Sequence, residues 1–285
     1  MKLEFLNILR CPKSRQRLSL ESNLLVSEDR KYKYSIDNGV PRFVEKKNYT
    51  DSFGLQWNLY SKTQLDSYTG HNISANRFWK ATGWSEDEIR DKWVLDVGCG
   101  SGRFAEIALL AGAKVVALDY SSAVDACKSN FLNHPNLYVV QGDIYELPFK
   151  LESFSFVYSL GVLQHTPNPK EAFNSLPPVL KKEGKICVDY YEKSFKSMLL
   201  PKYWLRPITK RIPNQKLFIF LQKSTPSLLY FSKLISKLPL IGNMLKRIIP
   251  VANYHGILPL TPQQHLEWAL LDTFDWLSPE HDHPQ

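Results

Sequence analysis

Cysteine is scarce in this chain of 285 residues: Cys11, Cys99, Cys127 and Cys187 lie far apart. None of them shows the paired spacing of a disulfide framework, which points to a reducing, cytoplasmic setting and away from a stapled secreted domain. No apolar run approaches the length that a membrane-spanning helix needs. The opening stretch from Met1 to Leu9 is interrupted by Glu4, which argues against a signal peptide. Acid is missing from one region altogether. Residues 195–250 carry eleven Lys or Arg and no Asp or Glu. The formal net charge of +8 is therefore uneven: the window holds +11, and the remaining 25 basic and 28 acidic residues give −3. The length accommodates one large domain and a small one.

What is present is most informative at Val94-Leu95-Asp96-Val97-Gly98-Cys99-Gly100-Ser101-Gly102-Arg103. An apolar run breaks into alternating glycines and then into a helix predicted over 104–111. A second apolar run, Lys114-Val115-Val116-Ala117-Leu118, is closed by Asp119. A strand, a tight turn, a helix N-terminus and an acid ending the next strand bind the adenosine part of a cofactor at the carboxyl edge of a parallel sheet. The glycines read Gly-x-Gly-x-Gly, not the Gly-x-Gly-x-x-Gly that favours a pyrophosphate. Asp96 directs an anion at the loop, which would repel a pyrophosphate and attract a cationic amino-acid tail.

These residues resemble the glycine motif of the class I S-adenosylmethionine-dependent methyltransferases, and the resemblance continues along the chain. Val139-Val140-Gln141-Gly142-Asp143-Ile144 is similar to the adenine-binding motif. Phe154-Ser155-Phe156-Val157-Tyr158-Ser159-Leu160-Gly161-Val162-Leu163-Gln164-His165 is similar to the fourth-strand motif of the small-molecule branch, which includes ubiquinone/menaquinone-type enzymes, and Gly184 to Tyr190 to the fifth strand. The resemblance implies an α/β, Rossmann-like doubly wound sheet and S-adenosyl-L-methionine as cofactor. It implies that Asp119 takes the ribose hydroxyls, Asp143 the adenine amino group and Ile144 the face of the ring. Asp96, Gly98, Cys99, Gly100, Gly102, Tyr120 and Ser159 complete the expected cofactor-binding set.

Five segments are expected: a small β-rich module over 1–45, a helical cofactor-covering segment over 46–92, the cofactor-binding core over 93–194, a basic apolar helical lid over 195–260, and a C-terminal helix and tail over 261–285. The first is similar to zinc-ribbon-like domains, but Ser14 stands where a second cysteine would be. One soft ligand cannot build a four-ligand zinc site, so no metal is expected. The module either docks a partner or buries one face of the core. In the second segment Arg77 is the candidate for the cofactor carboxylate, which it would hold bidentately, with an ordinary surface arginine as the alternative. Trp57 and Trp79 read as core.

Prolines 201, 207, 213, 226, 239 and 250 divide the basic insert into predicted short helices. The insert reads either as a lid with a solvated basic face or as a surface for an anionic membrane or a lipid-linked acceptor. Nucleic acid comes last, since no RNA-binding module is visible. Methyl transfer to a hydroxyl needs a base. His165 is the candidate, the alternative being that it only orients the loop from Thr166 to Pro169. Tyr190, Tyr191, Tyr254 and His255 are further pocket candidates, while His281 and His283 fall in a tail expected to lie outside the chemistry. After 261–271 only Asp272 to Gln285 remain, too little for the helix and hairpin that supply a sixth and seventh strand. The fifth strand is then expected to be a bare edge. The functions weighed are a methyltransferase for a small-molecule or lipid-linked acceptor, a cofactor-binding but catalytically silent interaction protein, and an RNA methyltransferase.

Overall fold

Short apolar segments between turn residues open the chain. In the computed structural model, which describes residues 1–45, 48–190, 201–236, 238 and 241–283, one turn of helix, α1 (Leu3–Leu6), precedes four strands. These are β1 (Leu18–Glu21), β2 (Leu24–Ser27), β3 (Lys33–Asp37) and β4 (Val40–Pro41), paired antiparallel in sequence order. Helices α2 (Asp51–Leu59), α3 (Asp66–Thr69), α4 (Ile73–Thr82) and α5 (Glu86–Ile89) follow, the last opened by a capping box between Ser85 and Glu88.

Strands and helices then alternate: β5 (Trp93–Val97), α6 (Arg103–Leu110), β6 (Lys114–Asp119), α7 (Ala123–Asn130), β7 (Leu137–Gln141), β8 (Phe154–Ser159), α8 (Pro169–Asn174) and β9 (Leu180–Val188). The five strands run parallel in the order β7-β6-β5-β8-β9. Helical crossovers cover both faces of such a sheet, which is why its strands read as near-continuous apolar runs. Val94, Val115 and Ala117 pack under Phe78, Phe104 and Ala108 on one face. Leu95, Val116 and Leu118 turn to Phe149, Leu163 and Leu176 on the other. Each such valine, leucine or phenylalanine, fully buried, stabilises by about 1.5–3 kcal/mol.

The N-terminal strands serve that second face. Phe5, Leu9 and Leu25 join its core, and the chain after β4 follows the outer side of β7. There the Phe43 N–H donates to the Gln141 carbonyl at 2.8 Å. Arg42 reaches Gln141 Oε1 at 3.0 Å and pairs with Asp125. Cys11 is buried with its thiol 3.2 Å from the Tyr34 hydroxyl, a packing position. At the opposite edge no strand pairs beyond β9 among the described residues. β9 begins at Leu180, earlier than the run from Gly184 indicated, and shifts register opposite Phe154 and Phe156.

The insert contains α9 (Pro201–Thr209), α10 (Asn214–Ser236) and α11 (Gly242–Leu245), and α12 (Pro262–Leu277) follows with a Thr261–Gln264 capping box. Here the expectation of short helices is corrected: α10 runs for 23 residues through Pro226. Proline removes one backbone bond, but packing on either side of it holds the helix. Leu217, Phe218 and Leu221 bury themselves against Leu270, Leu271 and Phe274. Beyond the proline, the Asn253 amide donates to the buried Ser232 hydroxyl at 2.8 Å. No helix among the described residues is long and apolar enough to cross a membrane.

Candidate functional site

Strand order reverses at β5, with β6 and β7 to one side and β8 and β9 to the other. At such a switch point the loops leave the strand ends in opposite directions and a crevice remains between them. Here the crevice opens into a cavity of about 910 Å³. The ends of β5, β6 and β8 supply one wall; α2, α9, α12 and their connections supply the other.

Backbone geometry shapes the first wall. Gly98 has φ +83°, and a Cβ there would lie 2.4 Å from a Val162 methyl; Gly102 has φ +95°, and a Cβ would lie 2.5 Å from the Phe131 ring. Both the left-handed conformation and the close approach require glycine. The Gly98 and Cys99 N–H groups donate to the Leu118 carbonyl at 2.7 and 3.0 Å, folding the loop over the end of β6. Asp119 sits at that end. It accepts from the Gly100 N–H at 2.8 Å and from the Ser121 N–H and hydroxyl at 2.8 and 2.7 Å. Burial raises its pKa, and these donors oppose the shift. Tyr120 stacks on Tyr49 with ring centroids 5.1 Å apart, and both line the cavity beside Gly142 and Ile144. Contact with Cys127 and burial push the Cys99 thiol up, so it stays protonated and is no nucleophile.

Three predicted residues lie behind this wall. Ser159 is buried and donates to the Val97 carbonyl at 2.9 Å, tying β8 to β5 under the loop. Asp143 accepts from the Tyr145 N–H at 2.9 Å while its neighbours Gly142 and Ile144 face the cavity. Asp96 is 2 % exposed, and its Oδ2 has no hydrogen-bond partner among the described residues. Burial pushes its pKa up to about 8. Burial thus opposes the anionic form expected of Asp96.

The second wall is aromatic and charged. Trp57 lies 3.3 Å from where a Cβ on Gly100 would be, so this tryptophan lines the site as well as packing on the core beneath α10. Trp79 is a core residue as expected. Arg77 lines the cavity, held by Asp189 at 2.9 Å, and Asp189 also accepts from the Gly161 N–H. Arg103 was missed. Its Nε donates to Ser74 Oγ at 2.9 Å and its Nη1 to Gln64 Oε1 at 3.2 Å, with the guanidinium 5.0 Å from the Phe104 ring and 5.1 Å from Trp268. Burial lowers its pKa to about 10, which leaves it charged. A signal was available: a cation at the first position of a helix opposes the macrodipole, so another interaction must hold it there.

Trp268, Asp272, Asp275 and Trp276 were also missed, although their spacing puts them on one face of α12. Asp272 accepts from the Tyr254 hydroxyl, and burial pushes its pKa up to about 6. Tyr254 lines the cavity as anticipated. His255 does not; it is exposed and stacks on His265. Tyr190 packs against the core, and Tyr191 lies outside the described residues. His165 is buried at the cavity wall, its ring 5.2 Å from Phe53 and its Nδ1 3.2 Å from the His281 carbonyl. The tail therefore returns to the site instead of leaving it. The His283 N–H donates to the Gln164 carbonyl at 2.7 Å, and between the two histidines Asp282 pairs with Arg206 and, at 3.3 Å, with Lys202.

A glycine cradle that a Cβ would obstruct, a carboxylate at the end of β6 and an aromatic-walled cavity fit a nucleoside with an amino-acid tail. Comparison with known proteins agrees. Residues 95–188 match the family described as a methyltransferase domain. A tRNA U34 carboxymethyltransferase from Ruthia magnifica is 31 % identical over 106 residues, covering 35 % of this chain and 33 % of the relative. A ubiquinone biosynthesis O-methyltransferase from Coxiella burnetii is 29 % identical over 113 residues, covering 39 % and 48 %. The matched stretch thus spans a third to just under half of these relatives. Among solved structures, the YcgJ protein of Bacillus subtilis matches with a TM-score of 0.41 and 23 % identity, covering 48 % of this chain and 59 % of that one. Residues 95–188 of the chain are thus similar to a methyltransferase domain.

Proposed function

We propose that this chain transfers the methyl group of S-adenosylmethionine to a small-molecule or lipid-linked acceptor. The observation that carries the reading is Asp119, fixed by three donors at the mouth of a cavity large enough for a cofactor and a second molecule. In this reading Asp119 and Tyr120 take the ribose. Ile144 covers the adenine, and Asp143, behind the wall and not at the amino group as expected, fixes the turn through the Tyr145 N–H. Gly98, Cys99, Gly100 and Gly102, supported from beneath by Asp96 and Ser159, surround the amino-acid portion, and Arg77 holds its carboxylate. The cofactor supplies a methyl group already activated on a sulfonium. The protein has to align an acceptor and exclude water, and Phe53, Trp57, Trp268 and Trp276 suit the second task. His165, at the cavity wall, is the residue in this reading to receive a proton from a hydroxyl acceptor.

Two observations favour a second reading, a nucleic-acid acceptor: the basic insert and the tRNA-modifying name carried by several relatives. Against it stand the apolar content of that insert and the aromatic wall. The test is incubation with methyl-labelled S-adenosylmethionine and a fractionated cell extract. Label in the lipid or small-molecule fraction supports the first reading. Label in RNA, with binding that falls steeply as salt rises, replaces it with the second. Release of no methyl group by a chain that binds the cofactor makes it a silent binding protein. The same reading places the insert at a membrane periphery, where a lipid-linked acceptor would be met.

A further inference from the structure

α10 is apolar on two opposite faces. Leu217, Phe218 and Leu221 are 2–4 % exposed and pack into the core beneath. Ile219, Phe220, Tyr230, Phe231 and Leu234 are 42–64 % exposed and fall on the other side. Their spacing keeps them on a single stripe of a 3.6-residue helix. Lys216 and Lys223, both exposed, fall on that same stripe. A helix with a second apolar face calls for an apolar environment on that side too, and water faces it here.

Exposed apolar residues at helical spacing recur on the elements before and after α10 in sequence. α9 exposes Trp204 at 58 % and Ile208 at 64 %, one turn apart, and Arg211 is exposed one turn beyond. Ile241, Met244 and Ile248 repeat the spacing across α11 and the turn after it, with Arg247 exposed beside them. Charge selects the occupant. The window 195–250 has no acidic residue; Lys202 and Arg206 are buried against Asp282, whereas Lys210, Arg211, Lys216, Lys223, Lys233 and Arg247 are exposed. A nucleic-acid backbone would use the lysines and leave the phenylalanines and isoleucines in water. An anionic lipid surface uses both, since the apolar side chains enter the acyl boundary while lysines extend their stems to the headgroups.

We propose that α9, α10 and α11 form a monotopic surface that lies in the headgroup layer of an anionic bilayer. α9 gives Trp204 to this surface and Lys202 and Tyr203 to the cavity wall. A membrane-borne acceptor would therefore reach the methyl-transfer site along one helix. That last step rests on the function proposed above, whereas the surface itself does not.

The test is flotation of the whole chain with vesicles of equal parts phosphatidylcholine and phosphatidylglycerol, beside vesicles of phosphatidylcholine alone. The expected result is recovery with the anionic vesicles, at least about tenfold weaker recovery with neutral ones, and loss at high salt. Phe220→Glu with Phe231→Glu should abolish flotation and leave cofactor binding and the melting temperature unchanged. Should that variant misfold, Lys216→Glu with Lys223→Glu, on the same stripe, tests the charge requirement alone. No flotation on either vesicle overturns the proposal, and so does equal flotation of the variants. A concentration-dependent dimer that the phenylalanine variant dissolves, without flotation, also overturns it by naming a second copy as the occupant. Flotation by a chain that fails to bind S-adenosylmethionine would instead overturn the function and leave the surface standing.

Discussion

The glycine loop after β5 and the helices after residue 200 face each other across one cavity, but different interactions hold them. The loop is set by backbone: positive φ at Gly98 and Gly102, and N–H groups given to Leu118 and Asp119. The lid wall is set by side chains that meet across long stretches of sequence. Trp268 Nε1 donates to the Thr63 carbonyl at 2.9 Å, Thr63 Oγ1 to Glu267 at 3.1 Å, and Asp282 closes on Arg206 and Lys202. Backbone-determined geometry accepts almost no substitution where it is made. A wall of long-range pairs comes loose one pair at a time. Damage to the lid should therefore spare cofactor binding, and damage to the loop should not spare the fold beneath it.

The largest expected effect is at Gly98. Gly98→Ala introduces a Cβ 2.4 Å from Val162 in a left-handed conformation, which should cost about 3 kcal/mol in urea unfolding. Adding Val162→Ala removes both methyls but leaves the Val162 Cβ 2.9 Å away, so it should recover only part of that loss. A full-stability single variant would erase the distinction between the walls. Next is Asp282→Asn, which removes the carboxylate that Arg206 and Lys202 share in a nearly buried position. It should loosen the tail and α9 by about 2–3 kcal/mol, read as faster hydrogen exchange there with unchanged cofactor affinity.

Asp272 supplies the pH test. Its pKa rises from 3.8 to about 6 through burial. Between about pH 4 and pH 6 the folded chain holds more protons than the unfolded one, so stability falls as pH rises through that window. The effect should be about 2 kcal/mol, and Asp272→Asn should flatten it in melting curves recorded across the range. The smallest effect on stability is Arg77→Ala. Its ion pair with Asp189 is partly exposed, so less than about 1 kcal/mol should be lost. Cofactor affinity should nonetheless drop about tenfold if Arg77 holds the carboxylate. An unchanged affinity would transfer that role to Arg103.

The same contrast explains what could be read from sequence. The loop, Asp119, Ile144 and the five parallel strands were readable because each is a local pattern: an apolar run, a glycine spacing, an acid at a strand end. At Asp96 the spacing reports position, whereas the burial that raises its pKa is invisible to spacing. The lid wall was almost unreadable. Nothing near Trp268 or Asp272 announces that Thr63 and Arg103 will meet them. His281 and His283 looked peripheral because their contacts, Gln164 and His165, lie more than a hundred residues away. Pro226 misled for the complementary reason: a local rule against helices yielded to packing along α10.

The central claim is that the loop and Asp119 form a site for S-adenosylmethionine. Calorimetric titration of that cofactor into the chain and into Asp119→Ala, with circular dichroism to confirm folding, tests it directly. The account predicts saturable binding weakened about a hundredfold or more in the variant. A folded chain that takes up no cofactor, or a variant that binds as well as the parent, would contradict it.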